Sequence, residues 1–246
     1  MKPDFLIFNG CSFTEGGGLS NRFILNQYGY DTPLDVNVEY HNIKNELRFS
    51  KLVSKHFNCD YVNLAESCNS NDNIFQSIFD YVESNIDKLS EYENVICFIQ
   101  TTMAQRKTIW YNNIKHNLNS FDKNNYPFND KESKYETLRK WYELYITDIF
   151  DEKIEAKYNK KQIYTIREYL KSKNIKVYFM IYSDEELTNI LNDTDYIKFN
   201  EYTQLMQFVD NNKLKISDDI DSRDTHFSIN GHKKIAEILI KTIEND

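Results

Sequence analysis

The chain has 246 residues, enough for one sizeable core, and 40% hydrophobic with 15% aromatic residues argues for a folded globule. Only 6 Gly and 3 Pro speak against a turn-rich all-β sandwich, and Lys/Glu/Leu/Ile-rich segments favour helices. A net charge of −8 argues against a phosphate-binding face, so no nucleic-acid partner is expected.

The first element is the apolar run Phe5-Leu-Ile-Phe-Asn9, which ends in Gly10-Cys-Ser12-Phe-Thr-Glu-Gly-Gly-Gly18. An apolar run of this length bounded by glycine reads as a buried strand whose end turns sharply, with Ser12 at the tip. Gly16-Gly17-Gly18 lacks the P-loop ending and the G-x-G-x-x-G spacing, so it reads as loop freedom near Ser12 and not as a phosphate site. Leu19 to Val36 reads as irregular. Helical spacing follows over Asn45–Phe57, then a short strand at Asp60–Leu64 that ends in the polar loop Ala65–Asp72. Ile74, Phe75, Ile78, Tyr81, Val82 and Ile86 predict a helix with Asn71 or Asp72 as N-cap.

Asn94–Ile99 is the clearest buried strand and stops at Gln100-Thr-Thr102. Ala104 to about Asp130 reads as an extended loop or partly helical excursion, and Lys134–Lys171 as helix. The stripe Trp141, Tyr142, Tyr145 fits either a sugar or acyl pocket or, more simply, a core seam. Ile175–Ile181 is a fourth strand, and a small fifth is expected around Lys213–Ile216. The chain closes with Asp224-Thr-His226-Phe-Ser228 and a final amphipathic helix capped by Ser228.

Strands alternating with helices predict an α/β, three-layer α/β/α sandwich with a parallel sheet of about five strands, flavodoxin-like in outline, whose strand-end loops gather at one edge. A single domain over 1–246 is expected, with a largely helical insertion at about 104–171. Cys11, Cys59, Cys68 and Cys97 form no C-x-x-C pair and read as free thiols of a reducing compartment. With no leader pattern and no apolar run of bilayer length, a cytoplasmic protein without a membrane partner is expected. His41, His56 and His116 have no partners at metal-ligand spacing, so no metal is proposed. The Asn-, Lys- and Tyr-heavy composition suits an AT-rich genome such as that of a phage or virus.

Four segments in order resemble the blocks of SGNH/GDSL-type serine hydrolases: Asn9–Thr14, Asn63–Asp72, Val95–Met103 and Asp224–His232. The resemblance implies that fold, with Ser12 as nucleophile, His226 as base and Asp224 as its orienting acid; Asp221 is a reserve orienter. A serine hydroxyl needs an imidazole to take its proton, and the imidazole needs an acceptor to fix its tautomer. The D-x-H spacing is shorter than the D-x-x-H common in the family. The family's oxyanion donors are the N–H of the nucleophile, the N–H of a glycine and an asparagine amide. Cys68 and Thr102 stand where the glycine and asparagine are expected, with Asn69 and Asn71 as substitute amides. The resemblance implies no cofactor and a small-molecule or glycan O-acyl ester as substrate, acetylated carbohydrate above lipid. Two alternatives stay open: a catalytically inactive glycan-binding or structural protein, and an O-acyltransferase.

Overall fold

Phe5–Asn9 forms β1, every residue of it buried. In a computed structural model, which describes residues 2–17, 19, 44–111, 113–118, 136–192, 194–219 and 224–246, β1 lies at the centre of a four-stranded sheet. Its neighbours are β2 (Asp60–Asn63) and β3 (Val95–Gln100), and β6 (Ile175–Met180) lies beyond β3. All three pairings are parallel, with Phe8 opposite Asn63 on one side and Phe98 on the other.

The continuous apolar pattern of β1 has a simple cause. Successive side chains point to opposite faces, and both faces are covered. Leu6 and Phe8, with Ile96 and Phe98 of β3, enter a core closed by α2 (Phe49–Phe57) and α10 (Ile229–Glu244) through Phe49, Val53, Ile235 and Leu239. Phe5 and Ile7, with Val95, Cys97 and Ile99, enter a second core closed by α3 (Asn71–Ser84) and α6 (Glu152–Ser172). Each fully buried Phe, Leu or Ile contributes roughly 1.5–3 kcal/mol of transfer free energy, so these two layers hold the sheet. The result is the three-layer α/β/α arrangement.

Among the described residues the sheet has four strands where about five are expected. The segment around Lys213–Ile216 makes only one antiparallel bridge, Lys215 to Phe227, and then turns into α9 (Ile216–Asp219). The Asp218 carboxylate accepts the Lys215 N–H at 2.8 Å, a local bond that favours the helical turn over continued pairing. Its backbone nevertheless clamps the last loop: Ile216 N–H donates to His226 O (2.9 Å) and Ser228 N–H to Leu214 O (2.8 Å).

The excursion after β3 also differs from expectation. It opens with an antiparallel hairpin, β4 (Lys107–Tyr111) and β5 (Ile114–Leu118). The rest of the stretch to residue 135, like most of Leu19–Val36, Asp221 and His41, lies outside the described residues. The predicted long helix is two: α5 (Glu136–Leu144) runs into a π-helical turn, Tyr145–Ile149, and stops at Phe150. Asp151 then caps α6 by accepting the Ile154 N–H. Tyr142 and Tyr145 are buried with Ile109, Ile146 and Phe150, a core seam, while Trp141 stacks on Tyr145 from a more exposed position. Short helices α1 (Ser12–Glu15), α4 (Ile86–Leu89), α7 (Glu185–Ile190) and α8 (Leu205–Asn211) complete the described elements.

Ser228 caps α10 by accepting the Gly231 N–H. The cap of α3 is Ser70, which accepts the Asn73 N–H, and neither Asn71 nor Asp72 serves as the cap. Asn71 is engaged elsewhere, as described below.

Candidate active site

The turn after β1 is held from both sides. Asn9 donates through Nδ2 to Ile74 O (2.9 Å) and Ser77 Oγ (2.8 Å), and its Oδ1 accepts the Gly10 N–H (2.8 Å). A β-carbon on Gly10 would lie 2.5 Å from Thr14 Oγ1 and 2.9 Å from Gln100 Cβ, so only glycine lets α1 start this close to β3. The chain therefore turns at the strand's end and sets Ser12 on the first residue of α1. Cys11 faces the core, where its Sγ accepts from Gln100 Nε2.

The last loop meets this turn across the sheet edge. His226 Nε2 lies 3.0 Å from Ser12 Oγ, and His226 Nδ1 lies 2.7 Å from Asp224 Oδ1. The same carboxylate oxygen accepts the backbone N–H of His226 at 2.9 Å. An aspartate that closes on the N–H two residues on makes an Asx-type turn, which brings ring and carboxylate together at a separation of two. The imidazole is also packed: its ring centroid is 4.8 Å from that of Phe13, which in turn touches Tyr182 and Phe227 at 4.8 Å each. Phe13 follows Ser12 directly in sequence, where it reads only as an apolar residue.

The loop after β2 borders the same turn. Glu66 N–H and Asn69 Nδ2 both donate to Gly10 O, and Ser67 Oγ donates to Glu15 of α1. Burial alone would raise the Glu15 carboxyl, but hydrogen bonds from Ser67 and Lys44 and the charge of Lys44, 2.9 Å away, hold it below the usual range. Cys68 has φ 62°, in the left-handed region that glycine occupies most readily.

Asn69 and Asn71 direct their amides at loop structure. Asn69 Oδ1 accepts from Asn73 Nδ2 (2.6 Å). Asn71 pairs with the backbone of Thr102, accepting its N–H at 2.7 Å and donating to its carbonyl at 3.2 Å. That pair ties the start of α3 to the end of β3. The Thr102 hydroxyl accepts from Arg106 Nη1 at 2.8 Å and keeps its own hydrogen to donate. Nothing in the sequence pattern singles out Arg106, which lies four residues past Thr102 in an irregular turn.

His232 is buried in α10, its Nδ1 accepting the Phe49 N–H (3.2 Å). Burial, with smaller contributions from the charges of His226 and Arg48, lowers its pKa to about 3 and keeps it neutral. Among the described residues, no group of three or more His, Cys, Asp or Glu is placed to hold a metal ion, and no helix is long and apolar enough to cross a membrane.

No family model and no curated protein sequence matches the chain. Among solved structures it is similar to a psychrotrophic esterase, EstA from Pseudoalteromonas sp., at 10% identity and TM-score 0.46, covering 98% of this chain and 97% of that one. LAE5, an alpha/beta hydrolase from the metagenome of Lake Arreo, gives 10% identity and TM-score 0.48 over 98% and 95%. A mutant of Axe2, an acetyl-xylooligosaccharide esterase from Geobacillus, gives 11% and 0.46 over 99% and 96%. These likenesses are too distant to speak to chemistry, so the site stands on its own geometry.

Proposed function

We propose that the chain is a serine-dependent carboxylic ester hydrolase of SGNH type, acting on small O-acyl esters, acetyl esters of carbohydrate first among them. The observation that carries this reading is the chain of contacts Ser12 Oγ to His226 Nε2 at 3.0 Å and His226 Nδ1 to Asp224 Oδ1 at 2.7 Å.

With the carboxylate on Nδ1–H, Nε2 is the free base that faces the hydroxyl. As Ser12 Oγ attacks the ester carbonyl, its proton passes to Nε2, and Asp224 stabilises the imidazolium that forms. The oxyanion is met by the backbone N–H groups of Ser12 and Cys68 and by the hydroxyl hydrogen of Thr102, whose oxygen Arg106 polarises. Collapse expels the alcohol, which takes the proton from His226. Water then attacks the acyl-Ser12 ester by the same route in reverse, releasing the acid and restoring the serine.

A fluorophosphonate probe followed by peptide mapping tests the reading directly. The expected result is a single adduct on Ser12, hydrolysis of short p-nitrophenyl esters, and loss of both in Ser12→Ala. An unlabelled Ser12 together with no ester turnover would overturn it.

A further inference from the structure

Resting on the ester-hydrolase reading, we propose that Trp110 is the residue that selects the alcohol part of the ester, its indole face serving as a platform for a saturated, hydroxyl-bearing ring of sugar type. The argument begins with strand register. Opposed residues of an antiparallel pair share a face and successive residues alternate, so Thr108, Trp110 and Lys115, the partner of Trp110, lie on one face of the hairpin. Lys107 and Ile109 lie on the other. That second face is the one packed inward: Lys107 Nζ lies 3.0 Å from Glu155 of α6, and Ile109 joins the buried Tyr142 and Tyr145.

The first face is turned to the loop that borders the nucleophile. Ser70 Oγ donates to Thr108 Oγ1 at 2.8 Å, and the Lys115 ammonium pairs with the Glu66 carboxylate. Glu66 and Ser67 are the residues whose bonds reach Gly10 and Glu15, on either side of Ser12. Two independent contacts on the same face thus fix Trp110 on the side of the hairpin that overlooks the site edge. Its side chain nonetheless remains 70% exposed, more than any other large hydrophobic residue described.

The surroundings decide what such an indole can hold. An acyl chain needs a continuous apolar wall, but the groups on this face are the hydroxyls of Thr108 and Ser70 and the Lys115–Glu66 ion pair. A sugar ring fits that mixture: its C–H face covers an aromatic plane while its hydroxyls need donors and acceptors at the rim. Tryptophan supplies a large, rigid contact area at little conformational cost.

The test pairs a ring ester with a ringless one. In Trp110→Ala the ratio of kcat/KM for methyl 6-O-acetyl-glucopyranoside, a ring ester with three free hydroxyls, to that for vinyl acetate, read by pH-stat, is expected to fall roughly 3- to 10-fold, mainly through KM, as loss of one aromatic contact implies. Trp110→Phe should recover most of it, and Trp141→Phe should leave the ratio as it is. An unchanged ratio in Trp110→Ala, with both esters still hydrolysed, overturns the assignment and leaves the hydrolase reading intact. A second readout does not need turnover: in Ser12→Ala/Trp141→Phe, Trp110 is the sole tryptophan, and methyl 6-O-acetyl-glucopyranoside should change its fluorescence saturably while triacetin does not. If the hydrolase reading fails, this titration still decides, since no sugar-ester response overturns the role of Trp110.

Discussion

Gly17 and His226 are packed so closely that a β-carbon on Gly17 would lie 2.8 Å from both Cδ2 and Nε2 of the imidazole, and 3.0 Å from Ser12 O. The Gly17 N–H donates to that Ser12 carbonyl at 2.6 Å, so the backbone cannot easily withdraw. Gly17→Ala should therefore push the ring off Ser12 Oγ and lower kcat on short esters by about 10²-fold, the cost of misplacing a reacting group by an ångström. The thermal midpoint should change little, because the ring is at the surface edge of the core. Wild-type turnover in Gly17→Ala would show that the His226–Ser12 contact is not used.

Asp224 gives one oxygen to both the ring and the backbone of His226. Asp224→Ala removes that oxygen, so nothing holds Nδ1–H, the tautomer that leaves Nε2 free is no longer fixed, and the imidazolium loses its counter-charge. A fall of roughly 10⁴ in kcat is expected with circular dichroism unchanged, the size of effect that removing the aspartate of a serine triad has elsewhere. A loss under ten-fold would assign the orienting role elsewhere.

The Asn71–Thr102 pair is a stability element. Asn71→Ala leaves the buried Thr102 N–H without its 2.7 Å acceptor and should cost about 1–3 kcal/mol, measured as a lower urea midpoint with the same slope. In the proposed mechanism the Thr102 hydroxyl donates to the oxyanion, so kcat should fall in parallel. A variant as stable as the wild type would mean that water replaces the amide.

His232 and Asp184 make opposed contributions to acid stability. His232 is held neutral, with a folded pKa of about 3 against 6.5, so stability is lost as pH falls below 6.5, because the unfolded chain takes up a proton the folded one refuses. Asp184 caps α7 through the Leu187 N–H, but its Oδ2 has no hydrogen-bond partner among the described residues. Burial, partly offset by the Leu187 N–H and reinforced by the charges of Glu152 and Glu186, raises its pKa from 3.8 to about 6. The folded state therefore binds that proton first, and stability is regained as pH falls from about 6 towards 4. The two slopes, each at most about 1.4 kcal/mol per pH unit, oppose one another in that window. Asp184→Asn keeps the cap oxygen and removes the titration. It should be more stable than the wild type at pH 7 and lose stability more steeply between pH 6 and 4, in urea melts. Parallel profiles for the two proteins would show that Asp184 does not titrate there.

The layers of this fold are written in local pattern. An apolar run ending in glycine, repeated with helices of 3.6-residue period between, is sufficient for a parallel sheet buried on both faces, because β1 and β3 can hide Leu6 and Ile7 alike only between two helical layers. The hairpin Lys107–Leu118 was not legible, since its alternating faces are satisfied by partners far along the chain, Ser70 and Glu66 on one side and Glu155 on the other. The expected fifth strand failed for a similar reason: Lys215 finds only Phe227 to pair with before Asp218 draws the chain into a helical turn.

For the site, the sequence by itself determined which chemical groups are available: a serine after a glycine turn at a strand's end, and an Asp and a His two residues apart near the other terminus. Distances between residues 12 and 226 are a property of the sheet order and of the 214–217 backbone that clamps the last loop, which no local pattern encodes. Only the tertiary structure decided that Asn71 pairs with Thr102, that Cys68 adopts a left-handed conformation, that Gly17 is pressed against the imidazole and that Trp110 stands exposed opposite Lys115. Each of these is a contact between segments whose side chains acquire direction only once the two cores have closed.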